Sequence, residues 1–343
     1  MQLAKRHKEA AAQERYLLKP YTDMELSTQI LMKESIKRGI AIQILDRKEN
    51  FIELSRDGLT QYVKQATKTS KDQYITVLAM ENKSVTKHIL KRNGIQVPEG
   101  EEYSSIEVAR QSLHKWAGRP AVIKPKSTNF GLGISIFPNG TDQAGLTEGL
   151  KIAFKEDNSI LIEPFVKGKE YRFLVIGEET IAVLHRVPAN VIGDGNSTIQ
   201  QLIKKKNRDP LRGTGHITPL EKIQINDSLK LYLQQQDLTI DSVIPEGKIQ
   251  YLRENSNIST GGDSIDVTDT VPDSFKHLAV KAAKSVGANI CGVDMMIENI
   301  EGGTSPYSII ELNFNPAIHI HAYPYKGKER NVAYPILRLL GFQ

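Results

Sequence analysis

Apolar side chains return at helical spacing along residues 24–39, MELSTQILMKESIKRG, and the run stops at Gly39, so the pattern predicts a helix closed by a glycine. AIQIL at 41–45 then reads as a strand, which makes this stretch a helix-then-strand unit of an open α/β layer. QYVKQATKTS (61–70) and YITVLAMEN (74–82) read as a further strand and a helix entry, and NKSVTKHILKRNG (82–94) as an amphipathic helix ending at Gly94. The pattern changes from residue 121. AVIKP, GISIF, SILIEPFV, YRFLVIG and TIAVLHRV are short, β-branched and closely spaced, which predicts a mostly antiparallel region. Residues 190–250 are polar and rich in Gly, Asp and Asn, with one expected helix, STIQQLIKKKN (197–207). PDSFKHLAVKAAKSVG (272–287) predicts a helix ending at Gly287, and NICGVDMMIE (289–298) and YSIIELNF (307–314) predict strands. Residues 1–20 are polar, basic and Ala-rich, a leader or linker that ends at Pro20. The class this predicts is α+β, with mixed sheets in several lobes.

Composition narrows the function classes. A chain of 343 residues can bury a sizeable core, and 25% charged with 39% hydrophobic residues is ordinary for a globular protein. No apolar run is long enough to cross a bilayer and no apolar signal segment follows Met1, so no membrane role is expected. The single cysteine, Cys291, excludes an internal disulfide, and its setting in ANICGVDMM predicts a buried thiol in a reducing, cytoplasmic compartment. The net charge of +5 is a mild excess, and the densest basic run, KKKNR at 204–208, has no aromatic neighbours, so a nucleic-acid partner is not expected. That run reads as a solvated face or as attraction for a small polyanion such as a nucleotide.

Three stretches carry chemistry. KPKSTNFGLGISIF (124–137) is a strand, a Gly-rich loop and a second strand, which is neither a Walker P-loop nor a Rossmann turn because no helix opens after it. Such a hairpin still exposes backbone N–H groups; Ser127, Thr128 and Asn129 add donors, Gly131 and Gly133 permit close approach, and Lys124 supplies charge to a phosphate oxygen. In LIEPFVKGKEYRFLVIG (161–177) a strand runs into Glu163, Phe165 and Val166 and then Glu170, an apolar slot for a purine followed by an acceptor for ribose hydroxyls; the plainer alternative is a hairpin with a surface glutamate. In IIELNFNPAIHIH (309–321), Glu311 and Asn313 stand two apart and share one strand face. A hairpin with the preceding strand brings Asp294 to them, and three oxygen donors suit Mg²⁺, with phosphate oxygens completing its shell.

Taken in order, Lys83, Lys124, the Gly-rich hairpin, Glu163-Pro164-Phe165-Val166 with Glu170, and the Asp294, Glu311, Asn313 set resemble the ATP-grasp superfamily. TKTSKDQYITVLAMENKSVTK (67–87), RVPANVIGDGNSTIQQLIKKKNRDPLRG (186–213), RENSNISTGGDSIDVTD (253–269) and ELNFNPAIHIHAYPYKG (311–327) resemble the C-terminal half of the bacterial bifunctional glutamate–cysteine ligase/glutathione synthetase. The central block is also similar to cyanophycin synthetase, which keeps a cyanophycin-like amino-acid ligase open as an alternative; a nucleotide-binding module without chemistry is the non-enzyme alternative. The resemblance implies an N-terminal α/β layer followed by two α+β lobes clasping ATP: a leader at 1–20, an N-terminal subdomain at 21–80, a small lobe at 81–166, and a large lobe at 167–343 with a lid insertion at about 190–260.

The resemblance also implies roles. Lys83 and Lys124 contact ATP phosphates under the 127–133 hairpin; Glu163, Phe165 and Val166 hold adenine and Glu170 the ribose; Asp294, Glu311 and Asn313 bind Mg²⁺ or Mn²⁺. The implied reaction joins γ-glutamylcysteine to glycine through an acyl phosphate, with ATP as co-substrate. Related D-alanine–D-alanine ligases place an arginine two positions before the metal aspartate, where this chain has Gly292, so another cation is expected to face the developing charge: Arg253 first, then Arg186 and Arg212. The polar 253–266 loop, with Asn255, Ser259, Thr260, Gly261 and Gly262, and the stretch containing Asn315 and His319 are the expected substrate-binding residues. The chain carries no counterpart of the family's glutamate–cysteine ligase half, which is therefore an expected partner.

Overall fold

The computed structural model describes residues 15–127 and 133–343. The first 14 residues of the leader lie outside them, as do Thr128, Asn129 and Gly131 of the glycine-rich hairpin.

The described chain begins with the helix Leu26–Lys37 and three strands, β1 (Ala41–Asp46), β2 (Phe51–Arg56) and β3 (Leu59–Lys64). Helices Tyr74–Glu81 and Lys83–Arg92 follow, then β4 (Glu101–Tyr103), helix Ile106–Ser112, β5 (Ala121–Pro125), β6 (Ser135–Phe137), helix Gln143–Glu156, β7 (Ile160–Pro164) and β8 (Lys169–Ile176). Next come β9 (Glu179–Val187), β10 (Asn190–Ile192), helix Ile199–Lys206, β11 (Arg212–Gly213), β12 (Leu220–Glu221), helix Asp227–Gln234, β13 (Ile249–Tyr251) and β14 (Asp263–Asp266). Helix Asp273–Ser285, β15 (Ile290–Ile297), β16 (Tyr307–Asn313) and helices His319–Ala322 and Ala333–Leu339 complete it.

Two compact units are built from separated stretches. The first takes residues up to Lys71, Ile181–Asp269 and Asn315–Gln343; the second takes Asp72–Thr180 and Thr270–Phe314. These units cut across the contiguous boundaries expected after residues 80 and 166.

In the first unit, β1, β2 and β3 form an antiparallel meander rather than an open strand-and-helix array. Strand β2 was not expected, because Glu53 and Arg56 interrupt its apolar run. Only Ile52 and Leu54 face inward, and both are fully buried. The turn into β3 is Asp57-Gly58, both at positive φ (51° and 81°), the two-residue turn whose twist matches a hairpin. The polar segment from residue 190 has its own core of Ile199, Leu202, Ile203, Ile223, Leu229 and Leu233. It holds a second helix, Asp227–Gln234, where one helix was expected; Asn226 caps it by accepting from the Leu229 N–H at 3.1 Å.

In the second unit β4, β7, β5 and β6 form an antiparallel sheet. The helix Gln143–Glu156, also unexpected, packs Leu146, Leu150 and Ala153 on Ile123, Ile160 and Ile162. Glycines hid it in the sequence. A Cβ at Gly149 would meet Ile123 Cδ1 at 3.1 Å, so the glycine lets helix and sheet approach closely. Strand β15 pairs antiparallel with β8 on one side and β16 on the other, and it is buried almost throughout.

Candidate active site

The second unit brings the expected acids together by strand register. Asp294 lies directly opposite Glu311, and Gly292 opposite Asn313. Directly opposed residues project to one face, and Asn313 follows Glu311 by one full pleat. A bulge in β16 accompanies this: Asp294 pairs with Glu311 while Met295 pairs with Ile309, which leaves Ile310 as the extra residue. Bulges re-aim side chains, and this one adjoins the acids.

On the other side of β15, Arg172 is opposite Asp294. Its Nε donates to Asp294 Oδ1 at 2.6 Å and its Nη2 to Oδ2, a bidentate pair around a carboxylate only 1% exposed. Asn313 Nδ2 donates to the same Oδ2 at 3.2 Å, which turns the Asn313 Oδ1 away from that bond. The sequence reading missed Arg172, although it stands two residues after Glu170 on the same strand face. Glu311 is half-buried and lies 3.5 Å from Lys83 Nζ.

Three lysines gather beside these acids. Lys83, Thr86 and Lys87 line a cleft with Ile309, Ile310 and Glu311. Lys87, also missed, is one helical turn from Lys83 on the Asn82-capped helix, so both ammonium groups share one face. Glu163 receives Lys124 at 3.0 Å and Lys87 in a second ion pair. Burial alone would raise the Glu163 carboxyl, but Lys124 and then Lys87 overcome it and hold the group below its usual range. The Lys87 ammonium is pushed down to about 8, first by burial and then by repulsion from Lys124. Lys83 is lowered for the same leading reason, with Glu311 opposing. Thus Glu163, expected beside adenine, is 2% exposed and engaged by two lysines.

The remaining expected nucleotide residues of this unit are more open. Phe165 and Val166 are half-buried just past β7, where the Phe165 N–H donates to Pro120 O at 3.1 Å. Glu170 is half-buried near the start of β8. Ser127 is exposed and its N–H donates to Asp157 Oδ2 at 2.7 Å, whereas Gly133 has φ of 72° and no room for a Cβ against Pro125.

The first unit holds the three candidate arginines, each buried. Arg186 Nη2 donates to Asn257 Oδ1 at 2.5 Å. Arg253 Nη2 donates to Asn226 Oδ1 at 2.9 Å; no carboxylate among the described residues faces it, its Nε has no partner, and burial lowers its pKa. Arg212 is 1% exposed and its donors reach Glu221 O, Gly261 O and Asp263. Asn255 accepts from Thr260 Oγ1 at 3.0 Å, and Ser259 is half-buried in the same loop as Gly261 and Gly262. Asn315 accepts from Thr67 Oγ1 at 2.7 Å and donates to Gln65 Oε1 at 3.3 Å. His319 is buried with its Nδ1 2.9 Å from Ser27 Oγ, and burial pushes it to about 3, so the ring is neutral at ordinary pH.

The donor chemistry around Asp294 fits a hard cation. Two carboxylates and an amide oxygen would supply oxygen ligands only; among the described residues no group of three or more His, Cys, Asp or Glu residues that could hold a metal ion is found. No helix among them is long and apolar enough to cross a membrane.

The description "ATP-grasp-like domain" matches residues 22–75 and "RimK-like ATP-grasp domain" residues 80–204. A glutathione biosynthesis bifunctional protein of Clostridium perfringens is 56% identical over 99% of this chain, which covers 44% of that protein. Its Enterococcus faecalis counterpart is 51% identical over 95% of this chain, again covering 44% of the relative. The crystal structure of a bifunctional glutathione synthetase from Pasteurella multocida superimposes with a TM-score of 0.73 at 45% identity, over 99% of this chain and 47% of that one. The chain thus spans less than half the length of the relatives it matches.

Proposed function

Because this chain belongs to the ATP-grasp family, we propose that it is an ATP-dependent carboxylate–amine ligase that joins γ-glutamylcysteine to glycine, giving glutathione, ADP and phosphate. The observation that carries the reading is the in-register Asp294–Glu311 pair, with Asn313 one pleat on and Lys83 beside Glu311, in a chain similar over 99% of its length to glutathione biosynthesis proteins.

In the first step an oxygen of the γ-glutamylcysteine glycyl-accepting carboxylate bonds to the γ-phosphorus of ATP, and the bond to the β,γ-bridging oxygen breaks to release ADP. In the second step the glycine amine bonds to the acyl carbon, phosphate leaves, and the amine loses a proton. Neither step needs a protein nucleophile, so the work of the chain is positioning and charge neutralisation. Asp294, Glu311 and Asn313 would hold Mg²⁺ or Mn²⁺, which when bound neutralises charge on phosphate oxygens. Lys83 and Lys124 present buried ammonium groups to phosphate, and Arg172 fixes the orientation of the Asp294 carboxylate. Phe165 and Val166 offer an apolar slot for adenine, and Glu170 an acceptor for the ribose. Arg253 and Arg186 supply buried positive charge for a substrate carboxylate or acyl phosphate, Arg253 most plainly because no carboxylate among the described residues faces it.

Phosphate release from ATP, measured with each acid and each amine omitted in turn, tests the reading. Release should require both γ-glutamylcysteine and glycine, and the product should have the mass of glutathione. Release that follows a peptide or aspartate carboxylate instead would replace this reading with a cyanophycin-like ligase.

A further inference from the structure

We propose that Arg212 is a positioning residue, which together with Asp263 and Lys206 forms a buried latch that fixes the backbone of the 255–262 loop without meeting the reacting groups. The inference rests on the ligase reading only for what the loop does, not for the latch itself.

Three stretches of the first unit converge on the Asp263 carboxylate. Arg212 Nη2 reaches its Oδ1. Lys206 Nζ donates to its Oδ2 at 2.7 Å, and Asn190 Nδ2 donates to the same oxygen at 2.9 Å. Lys206 also donates to Asn190 O at 2.9 Å, so the acid, the cation and the amide hold one another. Arg212 extends this group into the loop, because its Nη1 donates to Gly261 O at 3.0 Å and to Glu221 O at 2.8 Å. The guanidinium makes these bonds from two nitrogens held in one plane, whereas an ammonium would have to make all three from a single nitrogen.

The loop is built to be held in one shape. Gly261 sits at φ of 98°, and a Cβ there would lie 2.8 Å from Ile223 Cα. At Gly262 a Cβ would fall within 2.9 Å of Ser256 O, Asn257 O and Val187 O. Backbone contact on every side leaves the main chain of 258–262 one path, and Arg212 pins its carbonyl. Arg212 is itself 1% exposed with both terminal nitrogens engaged by protein acceptors, so only its buried Nε, which has no partner among the described residues, is left outside the latch. Arg253, which no carboxylate among the described residues faces, is the opposite case.

The test pairs kinetics with amide hydrogen exchange in the full chain. Arg212→Lys keeps the charge and loses the fork. Exchange at residues 255–262 should accelerate about tenfold or more while β15 keeps its protection, and KM for γ-glutamylcysteine or glycine should rise about tenfold with the ATP KM changed by less than about twofold. Lys206→Met, which keeps the aliphatic stem, should show the same exchange signature and serves as the deciding variant where Arg212→Lys loses β15 protection. A drop in kcat with unchanged KM values and unchanged loop exchange would overturn the proposal and make Arg212 a charge-stabilising group. Exchange is read without substrate, so a wild-type protein that makes no amide from γ-glutamylcysteine and glycine would sink the ligase reading while loop exchange still decides the latch.

Discussion

Three ammonium groups, those of Lys83, Lys87 and Lys124, share two carboxylates, Glu163 and Glu311, in the second unit. The surplus is one positive charge, held where desolvation disfavours it. Lys87 is the group that yields, with its pKa down from 10.5 to about 8 by burial and then by Lys124. It is therefore charged at pH 7 and neutral above pH 9. If its charge helps to attract phosphate, ATP affinity should fall as pH rises through that range. Bound phosphate favours the ammonium form, so the fall should be centred at 8 or higher. Calorimetric titration of ATP at pH 7 and pH 9.5 should give a Kd about tenfold weaker at the higher pH. Lys87→Arg, which does not titrate there, should flatten the difference; an equal slope in the variant would remove Lys87 from the site. Arg253 makes the second argument at this scale. Its guanidinium is buried and faces no carboxylate among the described residues, so a ligand anion is the partner that relieves the cost. Arg253→Ala should lower kcat about a hundredfold or more and leave the ATP KM nearly unchanged, because the lost interaction grows as charge develops. A variant that keeps kcat and loses only ATP affinity would make Arg253 a nucleotide anchor. Residue identity and order made Lys83, Lys124, Asp294, Glu311 and Asn313 legible in the sequence. Lys87 and Arg172 were not, because their roles depend on partners supplied by distant strands: Glu163 on β7 and Asp294 on β15.

At the scale of elements, the β15–β16 hairpin decides whether three oxygens converge, and its register was legible only in part. The sequence placed Asp294 on one strand and Glu311 and Asn313 on the next; it did not reveal the bulge at Ile310 that sets Glu311, rather than its neighbour, opposite Asp294. A one-residue slip would send Glu311 to the other face. Glu311→Gln is nearly isosteric and leaves the register alone, so the fold should persist while turnover falls about a thousandfold, since the proposed ligand to the metal is lost. Near-normal turnover at saturating magnesium would exclude Glu311 from the metal site. Other elements were hidden for local reasons. Helix Gln143–Glu156 carries Gly145 and Gly149, which weaken the helical pattern, while Gly149 allows close packing on Ile123 and Phe137. Strand β2 shows only two inward apolar residues. Gly100 illustrates the same limit: a Cβ there would stand 2.5 Å from Glu163 Cγ, a requirement set by packing across β4 and β7 and invisible in the local sequence.

At the scale of the whole molecule, the fold brings together segments far apart in sequence, and the first unit joins residues before Lys71 to residues after Asn315. The class of fold was legible because each segment keeps its own period. The partition was not, because propensity is local and these contacts are long-range. Ser27, on the first helix, and His319, nearly three hundred residues later, are one such contact, with Oγ and Nδ1 2.9 Å apart. It couples the stability of the molecule to pH. Burial, followed by the nearby His216, lowers the His319 pKa from 6.5 to about 3. The folded value lies below the unfolded one, so the unfolded chain binds this proton first. His319 therefore contributes fully to stability above pH 6.5, and that contribution is lost as pH falls toward 3. Urea midpoints should decline across this window in the wild type, where paired carboxylates add to the loss at its lower end. His319→Asn keeps a polar partner for Ser27 but cannot take the proton, so its midpoint should be lower at pH 7 and should change less between pH 6.5 and pH 4.5, above most of the carboxylate range. Parallel declines in the two proteins over that interval would show that His319 is not buried as a neutral ring.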